Sequence, residues 1–430
     1  MSKKIVIVGG GWSGSAAAIA AAKMGCQVTL LERTDMLLGT GLVGGIMRNN
    51  GRFSATEEMI AMGGGELFKT ADAVARHANM EFPGHKHATL YDVSLIEPAV
   101  KKVVEAAGVD LHLQTRVKDV VVENGRVKKV VADKFHGESN IEFEADVFID
   151  TTGTAGPQAN CTKYGNGCAM CILRCPTYGP RVSLVGKCGV TEILGSKADG
   201  TFGAMSGSCK LHKDSLSEKI QEELNKTGVC VVPIPAELQK GAASLGQKAC
   251  QQYALAEFNE NVILLDTGHA KLMSAYYPLE ILRKIPGFEN ARFEDPYSGN
   301  IGNSMRYLGM SKRDNRLQAE GLDNVFVGGE KAGLLVGHTE AIITGTLAGH
   351  NAARFALGKE LLELPTDLAC GDAIAYVHEC MQTPEGLTKK YTFSGSVYFE
   401  RMKAKGLYTT DVAAIKARVE KAGLQDVFNK

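Results

Sequence analysis

The 430-residue chain has no uncharged apolar run approaching the roughly 18 residues of a membrane-spanning helix, which argues against a helical membrane protein. It has no surplus of charge. Its 48 Lys and Arg balance 48 Asp and Glu, so no global field recruits nucleic acid or an anionic membrane, and only a local basic patch stays open. Internal repeats and low-complexity stretches are absent, and Met1-Ser2-Lys3-Lys4 runs straight into a strand pattern with no signal-peptide core. Cysteine occurs eleven times, an odd count without an export signal, which argues against a structural disulfide framework. These absences exclude a secreted knot and a fibre, and the expectation is a cytoplasmic enzyme. With 44% hydrophobic and 22% charged residues the chain is ordinary globular material, too long for one core, so two or three subdomains are expected.

Glycine is abundant, 49 residues or about 11% against a background of roughly 7%. Lys4-Ile-Val-Ile-Val8 reads as a buried parallel strand and runs into Gly9-Gly-Gly11-Trp-Ser-Gly14, a G-x-G-x-x-G motif. An Ala-rich helix from Ser15 to Met24 follows, with Gly25 at its C-cap, then a second strand, Gln27 to Leu31, ending at Glu32. Gly9 permits a tight turn, Gly11 lets backbone approach a pyrophosphate, and Gly14 lets helix and strand pack closely. Glu32, followed by Arg33, is placed to accept from ribose hydroxyls. Together these read as a dinucleotide site.

A second glycine-rich segment, Leu38-Gly39-Thr40-Gly41 through Gly44-Gly45, favours FAD, because a pure nicotinamide domain has no need of it. Downstream, Asp323 to Val327 reads as a strand ending in Gly328-Gly329-Glu330, with Glu330 suited to ribityl or phosphate-side hydroxyls. Gly337-His338-Thr339 then leads into a small-residue helix, Ile342 to Arg354, whose start near Thr339 aims its positive end at the flavin pyrimidine. No second strand-G-x-G-x-x-G-helix unit occurs, so any pyridine nucleotide would bind transiently over the flavin.

The stretch from Val325 to Arg354 resembles the last FAD-binding motif of the GidA and TrmFO family of tRNA-modifying flavoproteins. Tyr276-Tyr277-Pro278 through Ala291, and Leu364 through Tyr376, are similar to that family as well. A more distant similarity reaches flavoproteins of the heterodisulfide-reductase type. The resemblance implies an α/β fold. A discontinuous Rossmann-like FAD domain (1–45, 90–160 and 320–360) carries an inserted α+β substrate domain (46–89 and 161–319) and a helical C-terminal segment (361–430). It also implies that Val117 bonds the adenine and that Thr152 and Gly153 close over the cofactor. One departure stands out. Where TrmFO carries a nucleophilic cysteine, Ile46 to Arg52 has none.

Cysteines cluster elsewhere: six of the eleven fall between Cys161 and Cys209. Cys161, Cys168, Cys171 and Cys175 follow a C-x6-C-x2-C-x3-C-P pattern, open to three chemistries. Cys168 and Cys171 can exchange electrons with a flavin as a C-x-x-C dithiol, with Cys175 as nucleophile or resolving thiol. The four thiolates can hold an iron–sulfur cluster, or a structural zinc; the alternative is inert, buried cysteines. His338 is a further candidate to donate to substrate or ring. Arg306, Lys312 and Arg313 read as an anion site or a solvated basic face, and His85-Lys-His87 as an exposed loop. The expected function is an FAD-dependent oxidoreductase acting on a small-molecule or thiol/disulfide substrate, with NAD(P)H, a dithiol or ferredoxin as electron donor. The rivals are a folate- and FAD-dependent RNA uridine methyltransferase and an iron–sulfur electron-transfer subunit.

Overall fold

The computed structural model describes residues 2–154, 177–196, 200, 202, 204–205, 209–239, 241, 255–273, 278–294, 305–306 and 309–430. Its centre is a five-stranded parallel sheet built from β1 (Lys4–Val8), β2 (Gln27–Leu31), β6 (Asp110–His112), β10 (Val147–Asp150) and β15 (Val325–Val327). The spatial order is β15-β10-β1-β2-β6. The apolar run of β1 puts it in the middle, with β10 on one side and β2 on the other, and four of its five residues are buried.

Helix α1 (Trp12–Lys23) packs on this sheet, and α6 (His338–Ala356) packs on α1. Small residues make that second contact possible. A Cβ on Gly345 would sit 2.2 Å from the Ser13 carbonyl oxygen, and one on Gly349 2.2 Å from that of Ala17. The two helix backbones therefore approach more closely than side chains would allow.

Between β2 and β6 lie β3 (Ile46–Met47), α2 (Gly51–Ala61), α3 (Glu66–Ala73), β4 (Ala75–Phe82), β5 (His85–Tyr91) and α4 (Ile96–Ala106). Strands β3, β5 and β4 form a small sheet. A second three-stranded sheet, β7 (Thr115–Glu123), β8 (Arg126–Lys134) and β9 (Ile141–Glu144), turns at Asn124-Gly125, both at positive φ as a two-residue hairpin turn of this type requires. Residues 111–117 do not form one continuous strand: Gln114 sits at φ +54, between β6 and β7.

Strands β11 (Cys209–Leu211), β12 (Val229–Pro233), β13 (Asn261–Asp266) and β14 (Ala270–Leu272) form an antiparallel sheet in the order β11-β14-β13-β12, and α5 (Glu218–Thr227) packs against it. Leu211, Leu224, Leu264 and Phe288 belong to its core. Ile263, Leu265 and Met273 share another with Ile46, Phe82 and Leu90, which ties this sheet to the β3-β5-β4 sheet. Most of the Ala- and Gln-rich stretch 241–258 lies outside the described residues.

The C-terminal helices α7 (Ala369–Cys380), α8 (Ser396–Ala404) and α9 (Val412–Lys421) return to the main core. Glu58 of α2 is fully buried and accepts from the Ala369 and Cys370 N–H groups at the start of α7, both at 2.9 Å. Burial raises its pKa, and those bonds together with Arg418 pull the other way.

Candidate functional site

Val8, Leu31, Asp150 and Val327 stand side by side in register at the carboxyl edge of the parallel sheet. A cleft opens beyond that edge, where doubly wound sheets bind ligands. Gly9, at φ +102, makes the turn, and a Cβ there would sit 2.6 Å from the Thr151 carbonyl oxygen. Gly14 packs α1 against that turn, since its Cβ would fall 1.8 Å from the Gly9 oxygen. Gly11 differs from both: it is the N-cap of α1, and a Cβ there meets nothing within 4 Å. Two of the three glycines therefore serve the fold, and the third keeps a space clear.

Around that space, the Ser13 hydroxyl is buried in the cleft wall with no hydrogen-bond partner. Glu32 is 7% exposed and accepts from the Gly10 N–H at 2.7 Å and the Thr34 N–H at 2.8 Å. These bonds fix the carboxylate and leave lone pairs for further donors. Arg33 donates to the Gly179 carbonyl and Arg116 to that of Pro180, so both lie against residues 179–180. Glu330 accepts from the Thr154 hydroxyl at 2.7 Å.

The far end of the cleft is built around the start of α6. Gly337 is its N-cap, and the His338 ring lies where a Cβ on Gly44 would fall. The Tyr91 hydroxyl is 3.1 Å from both His338 Nδ1 and the Gly41 carbonyl oxygen. Burial pushes the Tyr91 phenol well above its ordinary range, so it remains protonated. Arg52 forms a buried pair with Glu340, Nε to Oε1 3.1 Å, while Nη1 reaches Asn49 Oδ1 and Nη2 reaches Thr392 Oγ1, each at 3.1 Å. Lys271 donates to the Val43 carbonyl at 2.9 Å, and Lys390 and Thr392 complete the wall.

The sequence candidates Gly9, Gly11, Glu32, Arg33, Gly39, Thr40, Val117, Thr152, Gly153, Gly329, Glu330, Gly337 and His338 line this one cleft. Gly14 and Thr339 stand behind its wall, Thr339 being fully buried with its hydroxyl 3.7 Å from the Met47 sulfur. Cys161, Cys168, Cys171 and Cys175 lie outside the described residues, as does Cys250. No cluster of metal-ligand type occurs among the described residues. Cys188 is partly buried, and burial together with Asp150 pushes its thiol up to about 12.

Two readings are corrected. Arg313 is not a surface anion site. It is 2% exposed, donates to the Ala332 and Ile374 carbonyls at 2.9 Å, and burial lowers its pKa to about 10. His85 is not in an exposed loop: it begins β5, is 2% exposed, stacks on Phe82 at 4.6 Å and bonds Asn49 at 2.9 Å. Sequence reasoning missed Arg52, Lys271, Lys390 and Thr392. No local motif announces them, because topology alone brings them to the cleft.

The glycine turn, the fixed acid after β2 and the second helix start opposite define a flavoprotein of the dinucleotide-binding type. FAD fits the residues present: the clearance at Gly11, the unpartnered Ser13 hydroxyl beside it and the preset Glu32 suit its phosphate and ribose. The family model for glucose inhibited division protein A matches residues 4–264 and 259–360, and the chain belongs to that family of FAD-dependent flavoenzymes. In fold it is similar to Aquifex aeolicus GidA in the form II crystal, at 19% identity and a TM-score of 0.69, over 99% of this chain and 74% of that one. The form I crystal of the same protein gives 17% identity and a TM-score of 0.61, over 98% of this chain and 79% of that one. No helix among the described residues is long and apolar enough to cross a membrane.

Proposed function

We propose that this chain is an FAD-dependent oxidoreductase that moves electrons between the flavin and a small-molecule or thiol/disulfide substrate, with Cys168, Cys171 and Cys175 as the thiols that take part. One observation carries the reading. Gly153 and Arg181, which flank the cysteine segment in the sequence, both line the cleft. A Cβ on Gly153 would lie 3.5 Å from Arg181 Nη1, so these two flanking residues are neighbours. Bound FAD supplies a two-electron carrier. The chain supplies the rest. The start of α6 presents a partial positive charge to the ring end. Tyr91 holds the His338 ring through Nδ1, which supports a role for His338 in proton exchange with a substrate.

The test is anaerobic purification, flavin quantification and reduction by NADH, NADPH or a dithiol. Single Ser substitutions at Cys168, Cys171 and Cys175 are expected to leave flavin content unchanged and to abolish turnover with a disulfide substrate. Full activity in all three variants overturns the thiol role. Iron and acid-labile sulfide in the anaerobic protein would assign the same cysteines to a cluster instead. Family membership also supports a second reading, a folate- and FAD-dependent uridine methyltransferase acting on RNA. Tight tRNA binding that survives physiological salt would favour it, since non-specific phosphate contacts weaken steeply with salt.

A further inference from the structure

We infer that Glu340 is a positioning residue that sets the charge met by the flavin ring, through its hold on Arg52. This rests on the FAD reading above and extends it to how the ring end governs reduction of the flavin. Glu340 is the third residue of α6 and is fully buried. Its Oε1 accepts from Arg52 Nε at 3.1 Å, from the Thr392 hydroxyl at 2.7 Å and from the Phe393 N–H at 2.9 Å. One carboxylate therefore ties together α2, α6 and residues 392–393. Arg52 and Thr392 line the cleft, and Glu340 stands behind them.

The pair lies against the start of the helix. A Cβ on Gly337, the N-cap of α6, would fall 2.0 Å from Glu340 Oε2 and 2.2 Å from Arg52 Nη2, so glycine there keeps room for both. Arg52 is also fixed from α2's own side, with Nη1 on Asn49 Oδ1 at 3.1 Å and Asn49 Nδ2 2.9 Å from His85 Nδ1. A buried ion pair adds little net stability once desolvation is counted, so its place at the cleft wall calls for another use. Two electrons and one proton turn the neutral oxidised ring into a reduced ring with one negative charge. Arg52 and the positive end of α6 favour that charge, and Glu340 opposes it. The two members of the pair thus pull the flavin in opposite directions, and the carboxylate keeps Arg52 where its pull is felt.

The test is the two-electron midpoint potential of the FAD-loaded protein at neutral pH, titrated with dithionite against a reference dye. It compares wild type with Glu340→Gln, Arg52→Gln and the double variant. Glu340→Gln removes the opposing charge and is expected to favour reduced over oxidised flavin by about tenfold, a rise of about 30 mV. Arg52→Gln is expected to lower the potential by a similar amount, and the double variant to return close to wild type. Shifts of the same sign in both single variants, no shift in either, or a double variant that keeps the shift of one of them each overturns the proposal. A brace without an electrical role has no reason to follow the sign of the lost charge. If one single variant does not fold, the other decides by the direction of its shift, and if neither holds flavin the pair is structural and the proposal is lost. Wild-type protein that takes up no FAD refutes the parent reading instead.

Discussion

Gly11 and Gly14 lie three residues apart in one motif, yet substitution should act on them in opposite ways. Gly11 has φ −66 and ψ −175, a conformation open to any L-residue, and its missing Cβ faces empty space. Gly11→Val therefore costs the fold little beyond a poorer N-cap, about 1 kcal/mol. The branched side chain occupies the cleared space, however, and keeps the pyrophosphate from the α1 N–H groups. Losing two charge-assisted hydrogen bonds, at about 1.5–3 kcal/mol each, weakens FAD by roughly 10²- to 10⁴-fold. Gly14→Ala drives a methyl to 1.8 Å from the Gly9 oxygen, a backbone atom that moves only with the turn, so the fold itself loses about 3 kcal/mol. The assay is flavin-to-protein ratio by absorbance, beside chemical denaturation of FAD-stripped protein. Gly11→Val should be colourless with near-wild-type stability, and Gly14→Ala should be unstable even without flavin. A fully yellow Gly11→Val protein, or a Gly14→Ala protein of unchanged stability, refutes the division of roles.

Two further predictions concern pH. His350 on α6 is fully buried against Phe428, and burial, then Arg354 and Lys359, lower its pKa to about 4. The unfolded chain then takes up the proton first, so stability is complete above the ordinary histidine range and falls between roughly pH 6.5 and 4, by about 3 kcal/mol in all. His350→Leu should lose less stability than wild type across that window, and parallel melting curves would sink the argument. Asp266 is buried, which raises its pKa, but the bonds from Lys213, His77 and Arg76 outweigh burial and hold it below the usual carboxylate range. Asp266→Asn should cost about 3 kcal/mol at neutral pH. That deficit should shrink in acid as wild-type Asp266 is protonated, which urea titrations at two pH values can check.

How much of this was legible in the sequence differs residue by residue. Lys4–Val8 and Gln27–Leu31 carry short apolar runs bounded by glycine and an acid, and the structure has strands over those same residues. Asn124-Gly125 announces its hairpin because only a few residues accept two positive φ angles in succession. Gln114 gave no such warning, for nothing in its side chain advertises the left-handed conformation that breaks the strand there. Arg313 and His85 looked like surface polar residues because composition reports charge and not depth. Their partners, Ile374 and Asn49, lie 61 and 36 residues away. The phosphate side of the cleft sits on one contiguous motif and could be read directly. The ring side is assembled from residues 44, 52, 271, 338, 390 and 392, and is visible only once the chain is folded.

The parallel sheet carries a consequence for how the protein is made. The first half of the phosphate site leaves the ribosome with residues 4–32, but one neighbour of β1 is β10 and the next strand outward is β15. At about 5–20 residues per second, a nascent chain waits on the order of tens of seconds before β15 can close that edge. Until then it shows an apolar strand with an open side, which invites pairing with other chains. Lys390 and Thr392 come later still, so a partly translated chain able to catch nucleotide would still lack part of its ring-side wall. The growing polypeptide therefore has reason to be shielded by a chaperone until synthesis is nearly done. The cleft as a whole is then complete only once the last seventh of the chain is in place, and flavin finds its full set of contacts only at that point.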